Sequence, residues 1–136
     1  MLVVTPGTDP IPFVETDEET LPPATLLGAH EVAFLVGPAT DRAIAIVSVA
    51  DGRIVRRLKA ARGDTIQSLA ASPDGKTVYY IAAGSVWAIP ATDGAPRKVG
   101  GGDSVAVDPR GEDLLVQLNE KERVRLVRMP VSGGPP

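Results

Sequence analysis

The chain has 136 residues with 14 basic and 17 acidic side chains, which gives a formal net charge of −3. This balance lacks the positive field that nucleic-acid backbones require, so nucleic acid is disfavoured as a partner. Cysteine is absent, which excludes disulfides, thiolate metal sites and cysteine nucleophiles.

The N-terminal segment begins without the features of an export signal. Met1–Pro6 has no basic region and reaches a proline too early for a signal peptide. The longest apolar stretch further along, residues 43–50, is less than half of the roughly 20 residues that a membrane-spanning helix needs. We therefore expect a soluble protein that does not interact with membranes, and its compartment stays open.

Copies of one turn-forming phrase divide the chain at regular intervals. Asp9, Asp51 and Asp93 stand 42 residues apart in three of these copies. The third copy begins at Ile89, and a fourth begins 40 residues later at Met129. A period of about 40–45 residues is typical of four-stranded β-propeller blades. The sequence therefore predicts an all-β fold of four-stranded antiparallel blades, with about three repeats of about 42 residues.

The repeats run out of phase with the chain ends. If the strands of a blade are named A to D in chain order, residues 1–22 supply strands C and D of a leading blade. Residues 23–60 and 61–100 are then two full blades, and residues 101–136 form a blade that lacks its last strand. No window sustains the period of an amphipathic helix, so no helix is predicted.

Three blades cannot close a ring, because propellers typically have about 4–8 of them. One alternative is a head-to-tail homodimer with six blades, in which the strand at residues 11–14 of each chain completes the last blade of the other. The other alternative is that these residues belong to a longer polypeptide. The predicted ring is therefore incomplete unless the chain oligomerises or continues.

Two segments, residues 69–80 and 105–116, align without gaps as strand, turn and strand. Proline presets φ in such a turn, and glycine takes the positive φ that closes the hairpin. The B strands at residues 78–82 and 114–118 are almost continuously apolar. We therefore expect both of their faces to be covered.

The D strand at residues 53–59 has several charged side chains, as an exposed edge requires for protection against pairing with other chains. An alternative is a patch for an anion or an acidic partner. Alternation along a strand weakens that alternative, because it places some of the charges on opposite faces. Edge protection is therefore the favoured interpretation of the basic run, which consists of Arg53, Arg56, Arg57, Lys59 and Arg62.

Residues 72–80 and 86–94 resemble the WD-like propeller repeats of the TolB type. The Ser-Pro-Asp-Gly-Lys turn of such repeats is matched in full by residues 72–76 and in degraded form by residues 108–112. The resemblance covers nearly the whole chain, but its motifs are structural turns, so it implies a fold and no particular activity. Such repeats occur in bacterial periplasmic proteins, in sensor regions attached to kinases and beside prolyl-oligopeptidase-like hydrolases. The Trp-Asp dipeptide of eukaryotic WD repeats is missing after strand C.

No catalytic, metal or cofactor site is predicted. His30 is the only histidine and falls in a surface turn, and no Gly-x-Ser-x-Gly elbow is present. The acidic run at residues 17–19 and the loop at residues 119–122 lack the spacing of a calcium loop. Asp51 and Asp93 are expected to cap their turns. We therefore expect a protein that is not an enzyme.

The aromatic side chains and one glycine run have structural interpretations. Tyr79, Tyr80 and Trp87 lie in apolar strands, so we predict that they are wedges between blades rather than stacking platforms for a ligand. Residues 100–102, all glycine, lack the context of a phosphate-binding loop. They are predicted to form a tight D–A connection.

The strand order separates the connections into a turn rim, with the A–B and C–D turns, and a loop rim, with the B–C and D–A loops. Loops of the loop rim differ among the copies, and variable loops on a repeat scaffold usually provide recognition. We predict a non-catalytic binding module whose partner is a protein, a second copy or the rest of a longer chain. Alternatives are the propeller portion of a larger enzyme or sensor, or a self-assembling half-propeller. The predicted polar contacts are Asp41, Arg42, Arg62, Asp64, Asn119 and Glu120.

Overall fold

A computed structural model describes residues 2–3, 11–12, 20–38, 42–60, 66–92 and 94–131. These ranges consist of strands and their connections, and none of them contains a helix that could cross a membrane. The strands are β1 (Leu2–Val3), β2 (Ile11–Pro12), β3 (Thr20–Leu27), β4 (Glu31–Val36), β5 (Ala43–Ser48), β6 (Ile54–Leu58), β7 (Ile66–Ala71), β8 (Thr77–Ala82), β9 (Ser85–Pro90), β10 (Arg97–Gly101), β11 (Ser104–Val107), β12 (Asp113–Asn119) and β13 (Val124–Pro130).

The strands form three antiparallel meanders and a short pair. The first sheet has the order β3-β4-β5-β6, the second β7-β8-β9-β10 and the third β11-β12-β13, while β1 pairs with β2. The innermost strand of the second sheet, β7, lies beside both β3 and β11. This arrangement confirms the predicted all-β fold with four-stranded antiparallel units. The predicted strand at residues 11–14 is described only at its first two residues.

The sheets are held together by apolar side chains from their inner strands. Leu35 and Ile46 of the first sheet join Val78 and Tyr80 of the second sheet in one buried cluster. Tyr80 stacks on Trp87 with ring centroids 6.3 Å apart and planes 9° apart, and the Trp87 indole donates a hydrogen bond to the Ala82 carbonyl. The predicted packing of these two aromatic residues between sheets is therefore confirmed.

A second cluster joins the second sheet to the third. Tyr79 and Val86 of the second sheet pack with Leu114, Val116 and their neighbours of the third sheet. Because alternate residues of a strand face opposite ways, Tyr79 and Tyr80 belong to different clusters. Both faces of β8 are covered, as its apolar sequence predicted.

The expectation that β12 is also covered on both faces is wrong. Leu114 and Val116 are buried, but Leu115 between them is 44% exposed. Leu126 of β13, which lies on the same face as Leu115, is 77% exposed. The reason is that only one face of the third sheet packs against another described sheet. We call the opposite face, with Ala106, Leu115, Val124 and Leu126, the open face.

The charged D strand predicted at residues 53–59 is an edge strand, β6. β6 and β10 are terminal strands in the first and second sheets. The glycine run differs in part from its prediction, because Gly100 and Gly101 are the last residues of β10. The D–A connection of the second sheet is therefore only Gly102 and Asp103.

Candidate functional site

The turns of the turn rim are closed by their own side chains. In the turn at residues 72–76, Oδ1 of Asp74 accepts hydrogen bonds from the Ser72 hydroxyl at 2.6 Å and from the Lys76 backbone N–H at 3.0 Å. The Ser72 hydroxyl oxygen in turn accepts from the Thr77 N–H at 3.1 Å. These bonds, first of all the one from Ser72, lower the pKa of Asp74 below its ordinary value.

The degraded copy of this turn, residues 108–112, uses a different carboxylate. Oδ1 of Asp108, which occupies the position of Ser72, accepts from the N–H groups of Arg110 and Glu112. Burial acts to raise the pKa of Asp108, but hydrogen bonds from the backbone of Glu112, Gly111 and Arg110 lower it below its ordinary value. The turn is therefore kept although only its proline and glycine match the full motif.

A pH dependence follows from the lowered pKa of Asp74. Since the folded state binds the proton less tightly than the unfolded state, the contribution of this carboxylate is complete above its ordinary pKa of 3.8 and is lost as the pH falls toward the folded value. We expect the melting temperature of Asp74→Asn to fall less than that of the parent between about pH 5 and about pH 2. Thermal melts of both proteins across this pH range test the prediction. Melting temperatures that fall in parallel for the parent and Asp74→Asn would contradict it.

Neighbouring turns of this rim touch each other through glycine. Gly75 has φ +72°, and a Cβ there would lie 3.3 Å from the Cα and N of Gly28. Gly111 has φ +75°, and a Cβ there would lie 3.2 Å from Cδ of Pro73. The A–B turns therefore pack one on the next from the first sheet to the third.

Asp51 and His30 are the other predicted features of the turn rim that the structure describes. Asp51 accepts a hydrogen bond from the Arg53 N–H at 3.1 Å, which confirms its turn-capping role. Asp93 lies outside the described residues, and so does the acidic run at residues 17–19. His30 is exposed in its turn, as predicted. It borders an open depression of about 470 Å³ between the first two sheets.

Arg56 joins the first sheet to the second at this depression. Its Nη2 lies 3.0 Å from Oε1 of Glu31, and its Nε donates to the Ala91 carbonyl of the second sheet at 2.8 Å. Sequence analysis assigned Arg56 to edge protection. Arg56 pairs with Ile46 and lies two residues before the buried Leu58, so it projects from the face of β6 that packs on the second sheet.

At the third-sheet end of the loop rim, the two predicted contact residues, Asn119 and Glu120, form hydrogen bonds and ion pairs with neighbouring residues. The Asn119 backbone N–H donates to Oδ2 of Asp103 at 2.7 Å, and Oδ1 of Asn119 accepts from Gln117. Glu120 forms ion pairs with Arg123 at 2.7 Å and with Arg125 at 2.6 Å. These contacts fix the B–C loop and tie it to the D–A connection.

At the first-sheet end of the loop rim, basic side chains surround a cavity of about 340 Å³. Arg42 precedes β5, while Arg57 and Lys59 lie at the end of β6. The walls are completed by Val36, Gly37, Pro38, Ala43 and Leu58. The Nε atom of Arg42 is buried and donates no hydrogen bond. We call this space the Arg42 cavity; the other three predicted contacts, Asp41, Arg62 and Asp64, lie outside the described residues.

The Arg42 cavity does not emerge from the basic run alone, because the cavity combines residues of two strands. Alternation separates Arg56 from Arg57, as expected, but it leaves Arg57 and Lys59 on one face. Ile44 pairs with Leu58, so the β5–β6 hairpin brings the start of one strand beside the end of the other. The predicted hairpin is therefore the feature of the sequence from which the proximity of Arg42 and Lys59 could have been inferred.

Metal binding has no candidate here. In the ranges that the structure describes, no group of three or more His, Cys, Asp or Glu side chains is placed to hold a metal ion. Glu120 of the loop at residues 119–122 is paired with arginines instead.

Comparisons with known proteins relate the chain to propellers by structure alone. No protein-family model and no curated protein matches the sequence. TolB from Acinetobacter baumannii superposes with a TM-score of 0.70 at 15% identity, over 96% of this chain and 34% of that one. Kuenenia stuttgartiensis hydrazine synthase superposes with a TM-score of 0.67 at 15% identity, over 95% of this chain and 36% of that one. This chain spans about a third of the length of either structure. Its fold is therefore that of a TolB-type partial β-propeller.

Proposed function

We propose that this chain is a non-catalytic β-propeller module that binds a protein partner through its loop rim. The observation that supports this proposal is the difference between the two rims. On the turn rim, Asp74 and Asp108 are engaged by groups of their own turns. On the loop rim, Arg42, which lines the Arg42 cavity, has a buried Nε donor without an acceptor.

The charges of the loop rim also suit recognition of a protein. Among the described residues, its first-sheet end is basic around Arg42 and Lys59, whereas its third-sheet end has Glu120 and Lys121 beside paired arginines. A surface with separate basic and mixed regions favours one orientation of a partner over others. Recognition at such a rim needs no nucleophile, metal or cofactor.

A second candidate is that these blades are the propeller portion of a larger assembly, either a longer enzyme or sensor or a ring completed by a second copy. The open face favours it. Leu115 occupies the position of Tyr79 in the second sheet, and Ala106 occupies that of Ala70. Tyr79 and Ala70 are both buried against the third sheet. The equivalent positions on the open face match a surface on which another blade packs.

A selection from a random peptide library tests the loop-rim proposal. Three exposed lysines provide matched charge reversals: Lys59→Glu and Lys121→Glu at the two ends of the loop rim, and Lys76→Glu on the turn rim. We expect most selected peptides to lose about tenfold or more in affinity with one of the loop-rim variants and less than about twofold with Lys76→Glu. Peptides that respond mainly to Lys76→Glu, or to none of the three, would contradict the proposal.

A further inference from the structure

We propose that the Arg42 cavity binds carboxylate groups of an acidic peptide segment. This inference rests on the proposed function, since it assigns a ligand chemistry to one end of the loop rim.

The shape of the cavity suits an amino-acid side chain. Its volume of about 340 Å³ lies at the lower end of the usual range for ligand sites, about 300–1,000 Å³. Val36, Pro38 and Leu58 supply apolar walls, and basic side chains supply the polar groups. A short side chain with a charged end fits this combination of walls and charges.

The charge of the cavity selects an anion. Among the described residues that line it are Arg42, Arg57 and Lys59, and none of these described residues is acidic. Arg42 and Lys59 in one concave space raise the local concentration of anions, even though the whole chain has a net charge of −3. That net charge opposes long polyanions such as nucleic acid, whereas a peptide with a few carboxylates is repelled much less.

The orientation of Arg42 favours an oxygen acceptor. Its Nε is buried without a hydrogen-bond partner, and leaving a buried donor unsatisfied is unfavourable. A guanidinium group presents its N–H donors in a planar fork that matches the two oxygens of a carboxylate. A bound carboxylate would therefore satisfy a donor that the described residues leave without an acceptor.

The position of the cavity at the end of β6 favours a peptide over a free anion. β6 is a terminal strand of its sheet and pairs only with β5 among the described strands. An extended segment that lies along such an edge gains backbone hydrogen bonds as well as side-chain contacts. Alternate side chains of that segment would face the cavity at the end of the strand.

Nuclear magnetic resonance of the arginine Nε–Hε groups tests the proposal directly. The probes are an acetylated peptide of four glutamates, the matched peptide of four glutamines, and inorganic phosphate. We expect the Arg42 Nε–Hε signal to shift saturably with the glutamate peptide and to stay unchanged with the glutamine peptide. An unchanged Arg42 signal, or equal shifts with both peptides, would overturn the proposal. A stronger response to phosphate than to the glutamate peptide would also overturn it, since the ligand would then be a free oxyanion.

Affinity measurements on matched variants provide a second test of the proposal. Arg42→Gln and Lys59→Gln should each weaken binding of the glutamate peptide by about tenfold, whereas Lys76→Gln on the turn rim should weaken it by less than about twofold. Lys59 is exposed, so its replacement keeps the test valid if Arg42→Gln impairs folding. Equal affinities for Lys59→Gln and the parent would overturn the assignment.

The two proposals fail in different ways. If the selected peptides respond to Lys121→Glu and not to Lys59→Glu, the loop rim is still the binding surface and the Arg42 cavity is not its anion site. If they respond to neither variant, the proposed function itself is wrong.

Discussion

Replacing Tyr80 with alanine should lower the free energy of unfolding by about 3–5 kcal/mol, the usual cost of deleting a buried aromatic side chain. Tyr80 is fully buried between the first two sheets and stacks on Trp87. A loss of this size is a large part of the roughly 5–15 kcal/mol that stabilises a typical domain. Urea denaturation followed by the fluorescence of Trp87, the only tryptophan, measures it.

Val55→Ala is the control for Tyr80→Ala. Val55 lies on the edge strand β6 and is 47% exposed, so its truncation should change stability by no more than about 0.5 kcal/mol. The loss of stability in Tyr80→Leu, which keeps much of the buried volume, should lie between the losses in Tyr80→Ala and Val55→Ala. It remains measurable if Tyr80→Ala does not fold. Equal unfolding midpoints for Tyr80→Ala and Val55→Ala would show that the first two sheets do not depend on this contact.

Gly102→Ala should destabilise the contact between the second and third sheets by about 1–3 kcal/mol, the usual cost of overpacking. A Cβ at Gly102 would overlap Cγ1 of Val116 and lie 3.1 Å from Cγ2 of Val86. Both valines are in the buried cluster that joins these sheets. Since Gly102 does not have a positive φ, the expected cost comes from packing and not from backbone strain. Thermal or urea unfolding measures it.

Gly101→Ala and a double mutant separate packing from other effects. A Cβ at the adjacent Gly101 would meet nothing closer than 3.9 Å, so Gly101→Ala should be nearly neutral. Val116→Ala removes the Cγ1 atom that the new methyl group would overlap. Gly102→Ala should therefore cost less in the Val116→Ala background, with a favourable coupling of about 0.5–3 kcal/mol. Strictly additive effects would contradict the packing explanation.

The fold could be predicted from the sequence because its local signals agree with one another. Glycine and aspartate mark the turns, and Gly75 and Gly111 have the positive φ that the hairpins require. Continuous apolar runs identified the inner strands, since a strand covered on both faces has no polar side to alternate with. The aspartate that caps a turn was also predictable, as Asp51 shows.

Other features depend on contacts that no single segment encodes. The role of Arg56 depends on which face of β6 packs on the second sheet, and that face is set by the packing of Leu58 and Ile46. The exposure of Leu115 depends on which sheet packs beside it and not on the apolar character of β12. Arg42 and Lys59 meet because two strands pair, so the Arg42 cavity requires the register of the first sheet.

The turn glycines have a consequence for how such repeats can change. Gly75 closes its own hairpin and also provides the surface on which the Gly28 turn of the previous sheet packs, and Gly111 does the same against Pro73. One residue thus sets a local dihedral angle and the distance between two sheets. An insertion in one of these turns would displace the neighbouring sheet as well as its own. On the other rim, Gly102 is held in a similar way between Val86 and Val116, whereas the B–C loop at residues 120–123 contains no glycine. The repeats can therefore diversify at that loop while the spacing of the blades is inherited unchanged.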